Sequence, residues 1–273
     1  MPIVMQRPLL LVGCGKMGSA LLSGWLQQDI LKTASHIVEP MGADDFDIDP
    51  NIVVHQDSKD LPLGLNPEVI VFAVKPQHMG DVVPAYKKFV GPNTMFLSIA
   101  AGTNIGFFES MLGSDAAIVR AMPNTPAAIG KGITVLCPNA NASDEQATLA
   151  KFLLEAVGQA ILMDDETLMD AVTAVSGSGP AYVFLLTETL AEAGVKAGLP
   201  RNLADQLALQ TVAGAGALAA QSNDKPAQLR ENVTSPGGTT FEALQVLMAK
   251  DGLQSLMTKA VAAATRRGKE LAG

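Results

Sequence analysis

One stretch constrains the fold of this chain more than any other. Leu9-Leu10-Leu11-Val12 runs directly into Gly13-Cys14-Gly15-Lys16-Met17-Gly18, and a helical pattern follows. An apolar strand, a glycine turn and a helix N-terminus in that order are the context a dinucleotide-binding fold demands. Gly13 permits the tight turn, Gly15 lets a pyrophosphate approach the backbone, and Gly18 lets the helix pack on the strand. The loop is therefore expected to bind a nicotinamide dinucleotide through Gly13, Cys14, Gly15, Lys16, Met17 and Gly18, with Cys14 and Lys16 lending only backbone. Glu39 closes the next apolar run, where a carboxylate accepts hydrogen bonds from a ribose 2′-OH and repels a 2′-phosphate. Pro40 to Asp49 contains no Lys or Arg to offset that repulsion. The residues thus favour NADH, with NADPH admitted if the adenosine end moves aside.

Up to residue 163 short apolar runs alternate with helical stretches. Strands are predicted at Pro8–Val12, His36–Glu39, Ile52–His55, Val69–Val74, Thr94–Ile99, Ala117–Ala121, Ile133–Leu136 and Ala160–Met163. Amphipathic helices are predicted at Met17–Gln28, Gln77–Val90 and Asp144–Val157, the last opened by a capping box of Ser143 and Gln146. This alternation reads as a doubly wound, mostly parallel sheet. Beyond residue 163 the strand signals stop. Helices are predicted at Leu168–Val175, Ala181–Ala197, Arg201–Gln221, Ala227–Val233, Thr239–Lys250 and Gln254–Leu271, separated by breakers such as Ser176-Gly177-Ser178-Gly179-Pro180 and Pro236-Gly237-Gly238. The expected fold class is α/β: a Rossmann-type doubly wound N-terminal domain, 1–163, followed by an all-helical C-terminal domain, 164–273, for substrate binding and dimerisation.

Nineteen Lys and Arg against twenty-seven Asp and Glu leave a net charge of −8, and no basic run offers a surface to nucleic acid. The charge-free stretch Gln206–Asn223 is dominated by Ala, Gly and Gln, and reads as a closely packed helix rather than a membrane span. Met1 to Arg7 lacks the basic and apolar regions of a targeting signal. Cys14 and Cys137 suggest no disulfide framework, which fits a reducing, cytoplasmic setting. No metal site is expected. His36, His55 and His78 show no paired spacing and read as surface or satisfied residues. Asp45-Phe46-Asp47-Ile48-Asp49 imitates a calcium loop, but Pro50 and Gln56 replace the glycine and glutamate such a loop needs.

Near the C-terminus, Asn232-Val233-Thr234-Ser235-Pro236-Gly237-Gly238-Thr239-Thr240-Phe241-Glu242-Ala243-Leu244 is the second informative stretch. Pro236 fixes one dihedral, and two glycines leave bare backbone N–H groups just where a helix begins. Such a rim suits a carboxylate or phosphate. An ordinary Pro-Gly turn with threonine as helix cap would carry the same residues. Three predicted strand ends complete the picture: Ala73-Val74-Lys75-Pro76, Ser98-Ile99-Ala100-Ala101-Gly102 and Met122-Pro123-Asn124-Thr125-Pro126. Ligands of open parallel sheets lie at such carboxyl ends, and the small residues leave room for a flat ring. Lys75 reads as a cation near phosphate or a surface residue. In the helical half, Ala213-Gly214-Ala215-Gly216-Ala217 permits close helix approach, and residues 152–195 hold no Lys or Arg. Helices so poor in charge favour a dimer interface, although burial within one chain is the alternative.

Together these segments, with Ser176–Tyr182, resemble the 1-pyrroline-5-carboxylate reductase family along the whole chain. The resemblance implies NAD(P)H-dependent reduction of a cyclic imine carboxylate to proline, the last step of proline biosynthesis. It also implies a homodimer with interlocked helical domains and an active site shared between subunits, assembled further into rings up to a decamer. By the same resemblance Thr240 is catalytic, placing its hydroxyl near the imine nitrogen. Glu166, Ser176, Gly177, Ser178, Gly179, Gly237, Gly238 and Thr239 bind the substrate. Glu39, Ala73, Val74, Lys75, Pro76, Ala100, Ala101 and Asn232 join the glycine loop around the cofactor. For Glu166, first-turn charge on a helix is the alternative. Two other functions compete. A β-hydroxyacid dehydrogenase would want a lysine or similar base on the first helices of the second half, and the gap in Lys and Arg from 152 to 195 argues against it. A dinucleotide sensor without turnover would tolerate a degraded substrate turn, whereas Ser176–Pro180 and Ser235–Thr240 are intact.

Overall fold

The computed structural model of the chain describes residues 5–43 and 49–272. Asp45 to Ile48, most of the calcium-loop imitation, and Met1 to Val4 lie outside the described residues. Among the described residues, eight strands form one sheet in the order β3-β2-β1-β4-β5-β6-β7-β8. They are β1 (Leu9–Val12), β2 (Ser35–Val38), β3 (Ile52–His55), β4 (Val69–Phe72), β5 (Met95–Ser98), β6 (Ala117–Met122), β7 (Gly132–Pro138) and β8 (Gly158–Leu162). Every neighbouring pair is parallel except β6 and β7. The exception follows from chain length: Met122 and Gly132 are too close in sequence for the crossover that a parallel return requires. The order reverses between β1 and β4, and that reversal opens a crevice above the strand ends.

Both faces of the sheet are covered, which is why its strands read as unbroken apolar runs. Leu9 and Leu11 point to one face with Trp25 and Leu153, while Leu10 and Val12 point to the other with Phe72, Tyr86 and Phe108. Four helices accompany these strands: α1 (Lys16–Gln27), α2 (Met79–Val82), α3 (Ile105–Leu112) and α4 (Asp144–Glu155). α1 and α4 pack the first face, where the Trp25 indole N–H donates to the Leu153 carbonyl at 2.7 Å and ties the two helices together. The capping box of Ser143 and Gln146 opens α4 as expected.

Two helical expectations change. The segment predicted as one helix over 77–90 is a 3₁₀ turn at Pro76–His78, the short α2 and a 3₁₀ run at Val83–Phe89. Pro84 has no N–H to continue an α-helix there. Conversely, α3 has no counterpart among the predicted helices, although its start is marked: the Asn104 side chain accepts from the Phe107 N–H at 2.8 Å.

The chain divides into two compact units, residues 1–177 with 264–273, and residues 178–263. The expected boundary after 163 falls at the end of β8, so the next fourteen residues and the chain's last ten group with the sheet. They comprise a 3₁₀ turn at Glu166–Leu168, α5 (Met169–Val172) and a π turn at Thr173–Gly177 where one helix is predicted. Ser176–Pro180, predicted as a break, instead runs from the π turn into α6 (Gly179–Lys196), with Pro180 tolerated in the first helical turn.

The second unit contains α6, α7 (Arg201–Gln221), α8 (Pro226–Asn232), α9 (Thr239–Leu247) and the start of α10 (Leu253–Ala272). α6 and α7 approach closely where Gly194 faces Ala204. The Ala213–Ala217 run does not serve that contact, since no other part of the chain lies within 4 Å of a Cβ built on Gly214 or Gly216. Instead α6 and α7 expose Phe184, Leu185, Leu186, Leu207 and Leu209. Among the described residues, no helix is long and apolar enough to cross a membrane.

Candidate active site

The glycine loop sits at the switch between β1 and β4, and its geometry leaves no freedom at two positions. Gly13 has φ +92°, and a Cβ there would stand 2.9 Å from the Ala73 carbonyl carbon. A Cβ on Gly18 would stand 2.3 Å from the Gly13 oxygen. Gly15 differs: a Cβ on it meets no atom within 4 Å and would project into open space beside α1. That is the space a pyrophosphate needs at a helix N-terminus. The residues present therefore fit a dinucleotide.

Gly13, Gly15, Glu39, Ala73, Val74 and Lys75 line a cavity of about 660 Å³. Pro76 and Ala101 line a second, of about 450 Å³, with Gly102, Asn104 and Leu271. Ala100 is buried beneath this strand end. The Cys14 backbone N–H donates to Glu39 Oε2 at 2.7 Å. Lys16 is exposed at the start of α1, and Met17 packs against the core. Glu39 Oε1 also accepts from the Met41 N–H at 3.3 Å, so the carboxylate is drawn into the loop rather than standing clear at the mouth.

Sequence reading misses several lining residues, among them Gln56, Asp57, Ser58, His78 and Tyr86. Asp57 has a local signal, the N-cap of a 3₁₀ turn in which its side chain accepts from the Lys59 N–H. That bond holds its pKa below the ordinary carboxylate value. Tyr86 has none. Burial, aided by the Asp57 charge, pushes its phenol well above the ordinary value, so it stays neutral.

The histidines are not independent. His36 and His55 lie on the paired strands β2 and β3, their rings stacked 5.1 Å apart with Nδ1 and Nε2 2.8 Å apart. Burial first, and then His55, lowers the His36 pKa. Among the described residues, no cluster of three His, Cys, Asp or Glu side chains could hold a metal.

Glu166 is the first residue of its 3₁₀ turn, as the first-turn alternative expects. Its Oε1 accepts from Arg120 Nη1 and from the Ile105 N–H, both at 2.8 Å. This ties β6, the start of α3 and the α5 segment together through one carboxylate oxygen. Ser176 and Gly177 end the π turn, and Ser178 and Gly179 open α6.

In the second unit Gly237 takes φ +68° and Gly238 is the N-cap of α9, with no side chain capping the helix. Thr239 and Thr240 are the first two helical residues, so neither is the cap that an ordinary turn would supply. Asn232 ends α8, with its Oδ1 accepting from Gln228 at 2.9 Å.

Residues 166–271 match the family model for pyrroline-5-carboxylate reductase dimerisation, and residues 9–102 match that for NADP oxidoreductase, coenzyme F420-dependent. A pyrroline-5-carboxylate reductase of Pseudomonas aeruginosa is 40% identical over 261 residues, spanning 96% of this chain and 95% of its own. The chain belongs to the pyrroline-5-carboxylate reductase family. Solved structures of the family superimpose along its length. The Coxiella burnetii reductase gives a TM-score of 0.90 at 34% identity, covering 98% of this chain and 100% of the other. The Plasmodium falciparum pyrroline carboxylate reductase, solved with NADP bound, gives 0.83 at 33% identity, covering 99% and 100%. The expected family and fold class are thereby established for this family member.

Proposed function

We infer that this chain reduces 1-pyrroline-5-carboxylate to proline with NAD(P)H. Full-length kinship with the Pseudomonas reductase is the observation that carries the reading, and the intact glycine loop and uncapped α9 N-terminus support it. A dinucleotide held by the Gly13–Gly18 loop would supply a hydride to the C=N carbon of the ring. The chain's contribution is position: backbone N–H groups at Gly237, Gly238 and Thr239, and at the Ser176–Gly179 segment, hold the substrate carboxylate without an arginine. The Thr240 hydroxyl orients the imine nitrogen and helps relay its proton. A threonine is too weakly acidic to be a strong general acid, and a protonated imine needs none. Glu166 lies close to the ring, with its Oε1 held by Arg120 and the Ile105 N–H.

Exposed apolar side chains on α6 and α7 support a homodimer, as does the dimerisation model over residues 166–271. In the proposed assembly the helical units interlock, each Ser235–Thr240 turn serves the partner's cofactor, and dimers build rings of up to ten subunits. The proposed setting is the cytoplasm, where thiols such as Cys14 and Cys137 are kept reduced.

The deciding assay is NAD(P)H oxidation with 1-pyrroline-5-carboxylate, run beside a 3-hydroxy acid with oxidised cofactor. Turnover of the imine alone is expected. Tight cofactor binding without turnover would indicate a sensor instead. Thr240→Ala should lower kcat about ten- to a hundredfold, the effect of losing roughly 1–3 kcal/mol of hydrogen bonding, with little change in cofactor KM. An unchanged kcat would remove Thr240 from the mechanism.

A further inference from the structure

The Met122–Pro126 segment contains a buried side chain with no role in the mechanism above. Asn124 is 9% exposed. Its Oδ1 accepts from the Ile133 N–H at 2.9 Å, and its Nδ2 donates to the Ser176 carbonyl at 3.1 Å. Only one orientation of the amide matches a donor on one side and an acceptor on the other, so the side chain is locked.

Its second partner needs the bond for a reason written in the sequence. In a continuing helix the Ser176 carbonyl would accept from the N–H four residues on. That residue is Pro180, which has none. The next N–H, that of Ala181, goes to the Ser178 carbonyl at 3.0 Å. A part-buried carbonyl left without its helical partner costs free energy unless another donor reaches it. Asn124 is that donor. Because the peptide group is planar, fixing the Ser176 carbonyl also fixes the Ser176–Gly177 peptide plane. The same segment abuts the π turn once more: a Cβ on Gly177 would stand 2.5 Å from Met122 Cε. π turns are rare and concentrate at functional sites, where the helical ladder alone does not set the backbone.

We propose that Asn124 is a positioning residue for the imine substrate: it replaces the N–H that Pro180 lacks and holds the Ser176–Gly179 backbone in its carboxylate-binding shape. The proposal rests on the reading of that backbone as part of the substrate site. Asn124→Ser replaces the amide donor by a shorter hydroxyl without adding charge, and Asn124→Asp sets a carboxylate against the Ser176 carbonyl.

In the full-length enzyme both variants should raise KM for 1-pyrroline-5-carboxylate about tenfold or more, with the aspartate worse. The NADPH Kd, followed by nicotinamide fluorescence, should stay within about twofold, since neither hydrogen-bond partner of Asn124 lines the glycine-loop cavity. Pro180→Ala on the Asn124→Ser background supplies a backbone donor and should recover part of the lost affinity. Amide hydrogen exchange at Gly177, Ser178 and Gly179 should accelerate in Asn124→Ser but not in α1. This readout needs no turnover, so it tests the positioning even if the wild type fails to reduce the imine, a result that would overturn the function instead. A folded Asn124→Ser with unchanged imine KM and unchanged exchange sinks the proposal. So does a loss shared equally between imine KM and NADPH Kd, which marks a general structural role. If Asn124→Asp does not fold, Asn124→Ser decides alone.

Discussion

Glu166→Ala offers the sharpest test of how the sheet unit is held together. The carboxylate bridges Arg120, whose side chain is only 6% exposed, and the first N–H of α3, while being 28% exposed itself. Deleting it leaves a guanidinium that cannot deprotonate, buried beside an N–H without its acceptor. Removing one partner of a buried pair costs about 3–5 kcal/mol. Partial exposure of Glu166 places the expected loss at the lower end, about 3 kcal/mol. At roughly 2–4 °C per kcal/mol for a chain of this size, the unfolding midpoint should fall by about 6–12 °C. The double variant Arg120→Met with Glu166→Leu removes both charges and should regain most of that loss, because the penalty lies in the orphaned charge. Thermal unfolding of the singles and the double, at one fixed protein concentration, measures this cycle. A drop below about 3 °C for Glu166→Ala, or a double variant as unstable as the single, would refute the reasoning. An unchanged midpoint with imine KM raised about tenfold would leave Glu166 with substrate contact alone.

The glycine loop supplies a paired test. Gly18→Ala drives a Cβ into the Gly13 carbonyl and should lower the unfolding midpoint as well as weaken NADPH at least about tenfold, an overpacking cost of about 1–3 kcal/mol. Gly15→Ala meets nothing in the chain and should keep the midpoint while losing similar affinity; retained affinity there would mean the pyrophosphate lies elsewhere. Glu39→Ser should shift the ratio of kcat/KM for NADPH over NADH about tenfold toward NADPH by removing a charge that repels the 2′-phosphate; steady-state kinetics with both cofactors read this, and an unmoved ratio clears Glu39 of that role. His36 has a folded pKa below its ordinary 6.5, so the unfolded chain takes up a proton that the folded chain refuses. The associated stability is complete above that value and declines as pH falls below it. Unfolding midpoints between about pH 8 and pH 5.5 should show this slope flattened in His36→Gln, and an equal slope in both proteins would discount the pair.

Much of the molecule is legible in its residues alone. The eight strands announce themselves because apolar runs such as Leu9–Val12 and Val69–Phe72 are buried on both faces, and burial of that kind leaves a local trace. The glycine loop is legible because steric freedom at Gly13 and close approach at Gly18 are properties of single residues. Capping at Ser143 is local too. What stays hidden depends on pairing across the chain. Arg120 sits inside an apolar strand and is explained only by Glu166, brought to it by the order of β6, β7 and β8. His36 and His55 have no meaningful spacing until β2 and β3 pair in register. The antiparallel β7, the inclusion of residues 264–273 with the sheet, and the lock of Asn124 on Ser176 belong to the same class. Residue type and short-range periodicity determined which segments exist and which chemistry they can carry. Tertiary structure decided which polar groups meet, because a buried charge or carbonyl takes whatever partner the topology delivers to it, and that partner is seldom near in sequence.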